Sequence, residues 1–283
     1  MLAAGGFIRN TTMMERHAPR YLKTLPIGGF GDDGAEIHLG CSVGGSSDYL
    51  DRISAWRFIN PPYDRTKGLI IGASGDRITN EKQYGAHLSR AIYEMSDGRA
   101  WLVVDQAIWQ KALEEVRTGE LFAFQQFPVK QAQKGAKSAA TIAEPAGLLG
   151  VLAAPLEHAV EAYSAAARSG APDPMGKSPA CCQAFGAGPY YAVRLTHALP
   201  VSPITSLTTG HCRWRRRSRL RIEEGTGNVI DIAGSRVSGL YAAGRTAIGI
   251  PSNNYVSGLS LADCVWSGRR AGRSSAAGTM TDV

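Results

Sequence analysis

One stretch near the C-terminus constrains the chain most: Gly239-Leu-Tyr-Ala-Ala-Gly-Arg245, followed by Asn254-Tyr-Val-Ser-Gly-Leu-Ser-Leu-Ala-Asp-Cys264. Leu240 to Ala243 form a short apolar run with turn residues at both ends, which predicts a buried strand ending at a glycine. The second part predicts a loop feeding a helix, with Ser260 as N-cap and Asp263 as a weak capping-box partner. Leu261, Val265 and Trp266 share one helical face. Arg269, Arg270 and Arg273 fall toward the far end, where cations suit the helix dipole. Tyr255, Ser257 and Gly258 therefore precede a helix N-terminus, whose free N–H groups and partial positive charge stabilise an anion or a ring that becomes anionic.

The 283 residues allow two domains or one large one. At 44% hydrophobic and 19% charged residues, a substantial core is possible. No run reaches the ~18 consecutive apolar residues of a membrane span. The five cysteines, Cys41, Cys181, Cys182, Cys212 and Cys264, show neither a C-x-x-C pair nor zinc spacing, so no metal is expected. An odd count without a framework suits the reducing cytoplasm. Cys181 and Cys182 read as two small buried residues.

The formal charge of +7 is mostly local, because the run from His211 to Arg221 holds six arginines, and removing them leaves +1. Such a run with one Trp could bind a phosphate backbone. A solvated hairpin is the favoured reading, and nucleic acid is not the expected partner. No G-x-S-x-G, H-E-x-x-H or Walker P-loop is present, so hydrolase and metalloenzyme readings have no anchor. The one G-x-G-x-x-G, Gly29 to Gly34, follows no clear strand, and Asp32 and Asp33 would repel a pyrophosphate. It reads as a turn opening a helix over 35–44.

The pattern GLYAAGR…NNYVSGLSLADCVWSGRRAGR resembles the C-terminal flavin-binding signature of the fumarate reductase/3-ketosteroid dehydrogenase flavoprotein superfamily. Three further segments are similar to that family. Leu2-Ala-Ala-Gly-Gly-Phe7 resembles its "ATGGF" strand end. The order Gly75-Asp-Arg77, Asn80-Glu81, helix, Trp101-Leu-Val-Val-Asp105 resembles its substrate-capping domain. Gly188-Pro-Tyr-Tyr-Ala-Val-Arg194 resembles its return segment.

The resemblance implies an α/β fold: an incomplete Rossmann-like FAD-binding domain interrupted by an α+β capping domain. The implied boundaries are 1–40 for the end of the first flavin segment, 41–185 for the cap and 186–283 for the second flavin segment. The strand, Gly-rich turn and ribose-binding acid expected upstream have no counterpart here, so the chain reads as an N-terminally truncated flavoprotein. In that light the arginine run looks like an insertion or a reading-frame artefact.

The implied cofactor is FAD, contacted by Gly5, Gly6, Gly244, Arg245, Gly258, Leu259, Ser260 and Leu261. Gly5 and Gly6 would offer backbone N–H groups beside the adenosine half. Where fumarate reductases carry a carboxylate-binding arginine, this sequence has Tyr255, as in the 3-ketosteroid Δ4-(5α)-dehydrogenase branch. The implied reaction desaturates a carbon–carbon bond beside a ketone, on a 3-ketosteroid or related cyclic ketone, with an unspecified electron acceptor. Tyr255 and the Gly258 N–H would stabilise the enolate. Tyr84 would take the proton, directly or through Tyr255 or Ser257, and the two tyrosine roles are exchangeable. The alternatives are a fumarate reductase/succinate dehydrogenase-like flavoprotein, an inactive fragment, and a basic nucleic-acid-binding module.

Overall fold

The computed structural model describes residues 1–24, 26, 28–51, 53–118, 123–195, 219–249, 256 and 258–279. Along the chain run α1 (Thr11–His17), α2 (Ala35–Ser42), β1 (Ser47–Asp48), β2 (Leu69–Gly72), α3 (Gly85–Ser96), β3 (Ala100–Asp105), α4 (Gln106–Arg117) and α5 (Ala123–Lys134). There follow β4 (Lys137–Ala139), α6 (Ala143–Leu149), α7 (Ala153–Ser169), β5 (Tyr190–Arg194), β6 (Arg219–Leu220), β7 (Asn228–Ile230), β8 (Arg236–Tyr241) and α8 (Leu259–Thr279).

The chain divides into two compact units: Met1–Ala55 with Ser206–Val283, and Trp56–Thr205. The division differs from the boundaries read at 40/41 and 185/186, and strand pairing gives the reason. β1 pairs with β6, so residues after 40 stay with the first unit. β5 pairs with β3, so residues after 185 stay with the second.

The second unit is built on an antiparallel sheet of order β2-β3-β5-β4. Every residue of β2 and β3 is buried, as expected of apolar strands covered on both faces. Helices supply the cover at 3.6-residue spacing: Leu88 and Ile92 from α3, Ile108 and Trp109 from α4, Leu156, Val160 and Tyr163 from α7. Each such aliphatic side chain contributes ~1.5–3 kcal/mol on burial. The turn from β3 into α4 is fixed by Asp105, which accepts from the Ile108 N–H at 2.8 Å and the Gly186 N–H at 2.7 Å. Met95, near the end of α3, is exposed.

In the first unit the pairs β1–β6 and β7–β8 are antiparallel. Among the described residues, parallel pairing is limited to two single bridges, Leu2 with Ala242 and Leu220 with Ala247. Leu2, Leu220, Ile222, Val229, Ala242, Ala247 and Ile248 close the core. α2 opens at Gly34 in the left-handed region (φ +80°), which a side chain would strain. α8 runs for 21 residues and carries Arg269, Arg270 and Arg273 in its second half.

Candidate functional site

In the first unit two glycine-terminated strand ends lie side by side. The Leu2 N–H donates to the Tyr241 carbonyl at 2.8 Å, and the Ala243 N–H to the Leu2 carbonyl at 2.9 Å. This register sets Gly5 and Gly6 beside the 3₁₀ turn Gly244–Thr246. Thr246 clamps the pair: its Oγ1 accepts from the Gly5 N–H at 3.1 Å and lies 3.0 Å from the Gly5 carbonyl. The Gly6 N–H donates to Asp32 Oδ1 at 2.8 Å, and the Ala4 N–H donates to Glu36. Arg245 pairs with Asp32 at 2.9 Å.

The N–H groups of Gly5 and Gly6, expected to face a cofactor, are thus satisfied within the protein. Gly5 has φ +116°, and a Cβ there would lie 2.1 Å from Asp32 Oδ1. Its glycine is required by Asp32, whatever ligand lies beyond. Asp32 and Glu36 are the acceptors that shape this cluster, and sequence reasoning passed over that role. Asp32 was weighed only as a repeller of pyrophosphate, whereas the turn folds it inward as an acceptor.

α8 presents an unexpected face. Leu261, Val265 and Trp266 are exposed, while Asp263, Ser267 and Ala271 are buried. Small residues win because the helix comes close to the turn after β8. The Gly244 N–H donates to Ser267 Oγ at 2.9 Å, Ser267 Oγ donates to the Asp263 carbonyl at 2.5 Å, and a Cβ on Gly249 would lie 1.9 Å from the Asp263 carboxylate. Ser260 lies inside the helix rather than capping it, and Gly258 precedes the helix at φ +82°. The Gly258 N–H meets no acceptor among the described residues. The Leu259 N–H is taken by the Val256 carbonyl at 3.2 Å, so the donor left available at the positive end of this 21-residue helix is the Gly258 N–H.

Arg219 closes this unit from the other side. It is 5% exposed and donates to the carbonyls of Gly244 and Ala247, both at 3.2 Å. Burial pulls its guanidinium down to about 10, opposed by the Asp263 charge. Arg221 donates to the Asp231 carbonyl at 3.3 Å. The end of the arginine run is therefore structural: Arg219 and Arg221 are built into the unit and do not form a solvated hairpin. Arg213, Arg215, Arg216 and Arg217 lie outside the described residues.

In the second unit Tyr84 stands at the N-cap position of α3, 40% exposed, its ring edge-on to Trp56 with centroids 4.2 Å apart. Tyr191 stacks on Trp109 at 4.4 Å, and Tyr190 donates to the Gly186 carbonyl, so both are packing residues. Cys181 and Cys182 are half-buried free thiols rather than buried ones.

A buried charge cluster organises this unit. Arg77 bridges Glu81 at 2.8 Å and Asp173 at 2.5 Å, and Lys177 bridges Glu81 at 2.8 Å. Lys177 also donates to the carbonyls of Thr66 and Gly68 and to Tyr163 Oη. Burial pulls Lys177 down and pushes the Tyr163 hydroxyl up. Burial alone would raise Asp173, but the Arg77 hydrogen bond overrides it and holds the carboxyl below its usual value. The i,i+4 spacing of Arg77 and Glu81 was the available sequence signal; nothing marked Asp173 or Lys177. Nearby in sequence, Arg57 and Arg65 are also buried, and desolvation pulls each to about 10.

The structure thus brings Gly5, Gly6, Gly244 and Arg245 into one cluster and sets Gly258, Leu259, Ser260 and Leu261 on one helical turn of the same unit. Tyr84 belongs to the other unit. Tyr255 and Ser257 lie outside the described residues. Among those residues, no group of three or more His, Cys, Asp or Glu could hold a metal ion, and no helix is long and apolar enough to cross a membrane.

Against known proteins, the chain is 38% identical over 248 residues to a 3-oxo-5-alpha-steroid 4-dehydrogenase of Comamonas testosteroni, covering 86% of the chain and 44% of that relative. It is 26% identical to a urocanate reductase of Eggerthella lenta, covering 98% of the chain and again 44% of the relative. Among solved structures, it resembles 3-ketosteroid-delta4-(5alpha)-dehydrogenase of Rhodococcus jostii RHA1 in complex with 4-androstene-3,17-dione. There the TM-score is 0.78 at 25% identity, over 98% of this chain and 52% of that one. The chain therefore spans about half the length of the relatives it matches. The family described as FAD binding domain matches residues 1–261, and the chain belongs to that family, with FAD as its cofactor.

Proposed function

We propose that this chain is the flavin- and substrate-contacting part of an FAD-dependent dehydrogenase, one that desaturates the carbon–carbon bond beside the ketone of a 3-ketosteroid. The observation that carries the reading is the 38% identity to a 3-oxo-5-alpha-steroid 4-dehydrogenase. The residues present fit FAD at one place and not at another. The first turn of α8, with the unengaged Gly258 N–H, suits the ring edge that gains negative charge. Arg245, 31% exposed, retains donors beyond its bond to Asp32. Ala4 to Gly6 do not suit a pyrophosphate, because their N–H groups are taken and two carboxylates stand beside them. The Rossmann-like, incomplete character of the flavin domain belongs to the same proposal.

When bound, FAD supplies the hydride acceptor. The protein's own task is proton chemistry. A ketone α-proton leaves only if the enolate oxygen is stabilised, and a Tyr255 hydroxyl with the Gly258 N–H would donate to that oxygen. Tyr84, partly exposed, would receive the proton, directly or through Tyr255 or Ser257. The roles of Tyr84 and Tyr255 are exchangeable. Free cysteines without a pairing framework support a cytoplasmic setting.

The match to a urocanate reductase over 98% of the chain favours a second reading, a fumarate-reductase-like reductase. One experiment separates them. The chain is reconstituted with FAD and desalted, and its visible flavin absorbance is recorded. It is then assayed for oxidation of a saturated 3-ketosteroid with an artificial acceptor, and for reduction of fumarate and urocanate. Retained flavin with ketosteroid turnover is the expected result. Retained flavin with reduction of fumarate or urocanate alone would overturn the steroid reading. Loss of the flavin on desalting would assign the chemistry to a longer protein.

A further inference from the structure

The sheet of the second unit carries a cleft of about 450 Å3 that the dehydrogenase reading does not use. Its apolar lining is Trp101 of β3, Ala192 of β5 and Leu149 of α6. Its polar lining is cationic: Arg99, Lys137 and Arg194. No carboxylate lines it among the described residues. The register explains the convergence. Arg194 sits opposite Trp101 in the β3–β5 pair, Lys137 sits opposite Ala192 in the β4–β5 pair, and Arg99 immediately precedes β3. Three cations from distant parts of the sequence are thus held around one indole by strand pairing.

The donors of Arg99 and Lys137 are largely uncommitted. Lys137 uses one ammonium hydrogen on the Leu148 carbonyl at 2.5 Å, which fixes the side chain and leaves two. The Arg99 guanidinium makes no hydrogen bond or ion pair among the described residues. A fourth cation, the buried Arg57, reaches the Arg194 carbonyl at 3.5 Å. Like charges converging on a low-dielectric wall focus a positive potential, and a bound anion relieves their mutual repulsion. The volume is that of a small-molecule site.

The two kinds of lining select the ligand together. An inorganic anion would satisfy the cations and leave Trp101 and Leu149 unused. A neutral ring would cover the apolar wall and leave the charges of Arg99 and Lys137 without a counter-ion. We propose that this cleft binds a small organic oxyanion: a flat ring carrying a phosphate or carboxylate group. The oxyanion is forked by Arg99 and held by Lys137, and the ring lies against Trp101.

The test titrates the full chain with phenyl phosphate and with benzoate, using phenol and inorganic phosphate as the two half-ligands, by calorimetry and by tryptophan fluorescence. Saturable binding of phenyl phosphate or benzoate is expected, at least roughly ten-fold tighter than either half-ligand. Arg99→Gln and Lys137→Gln should each weaken it by roughly ten-fold (about 1.4 kcal/mol), Arg99→Lys by less, and Trp101→Phe should abolish the fluorescence response. Both Arg99 and Lys137 are exposed, so the variants should keep the wild-type circular dichroism spectrum and flavin retention. Three outcomes would overturn the proposal: no saturation by either ring compound, inorganic phosphate binding as tightly as phenyl phosphate, or affinity unchanged in the Arg99→Gln/Lys137→Gln double variant.

Discussion

Gly5 and Gly258 share a positive φ but differ in what surrounds them, and the difference is measurable. At Gly5 an added Cβ meets the Asp32 carboxylate at 2.1 Å, while at Gly258 nothing lies within 4 Å. Gly258→Ala should therefore cost only backbone strain, ~1 kcal/mol. Gly5→Ala should cost roughly 3 kcal/mol or more, because strain adds to displacement of a buried, hydrogen-bonded carboxylate. Denaturant midpoints of the two variants check the order. The Asp173 carboxyl gives a second prediction. Its folded-state value lies below the ordinary ~3.9, so the unfolded chain binds more protons in between. The stability it contributes is present above about pH 4 and is lost as pH falls through the folded value. Asp173→Asn should cost roughly 3 kcal/mol near neutral pH, since Arg77 is left with one buried partner. It should also flatten the stability-versus-pH curve on the acid side, as read by urea unfolding from pH 3 to pH 7.

For the elements, α8 separates pattern from packing. The apolar residues Leu261, Val265 and Trp266 announce a helix, yet the face that packs is Asp263, Ser267 and Ala271. Ser267 links Gly244 to the Asp263 carbonyl, so Ser267→Ala should strand the buried Gly244 N–H and cost ~1–3 kcal/mol. Trp266→Ala, on the exposed face and in cation–π contact with Arg270 at 4.4 Å, should cost at most ~1 kcal/mol. A thermal shift larger for the tryptophan than for the serine would refute the packing account. The same contrast shows what was legible. β3 was legible in the segment Trp101 to Asp105, because the side chains that pack there are those a hydropathy pattern detects. The packing face of α8 was not, because closeness to Gly244 and Gly249 selects small and polar side chains, which no hydropathy period marks. Arg219 was hidden for a related reason: inside a run of arginines it reads as solvated, and only the carbonyls of Gly244 and Ala247, 25 and 28 residues away, explain its burial.

At the scale of the whole molecule, the flavin assignment and the proton assignment fall in different units, which makes them separable by experiment. The glycine cluster, Arg245 and the α8 N-terminus lie in the unit made of Met1–Ala55 and Ser206–Val283, whereas Tyr84 lies in Trp56–Thr205. The motifs that revealed the family, at Leu2–Phe7, Trp101–Asp105 and Gly239–Cys264, were readable because each is local. The pairing of Gly5 with Thr246, 241 residues apart, was not. If the division of labour is correct, Tyr84→Phe should retain flavin absorbance after desalting at the wild-type level. It should lose roughly 10²–10⁴-fold in turnover of a 3-ketosteroid, the usual weight of a positioned proton acceptor. The loss should fall on kcat rather than KM, because the missing hydroxyl acts on the leaving proton and not on the bound ring system. Arg245→Leu should do the reverse, lowering flavin retention while leaving turnover per bound flavin within a few-fold. Flavin lost from Tyr84→Phe, or turnover unchanged in it, would remove Tyr84 from the chemistry and return it to the role its contact with Trp56 already supports, an aromatic packed at the start of α3.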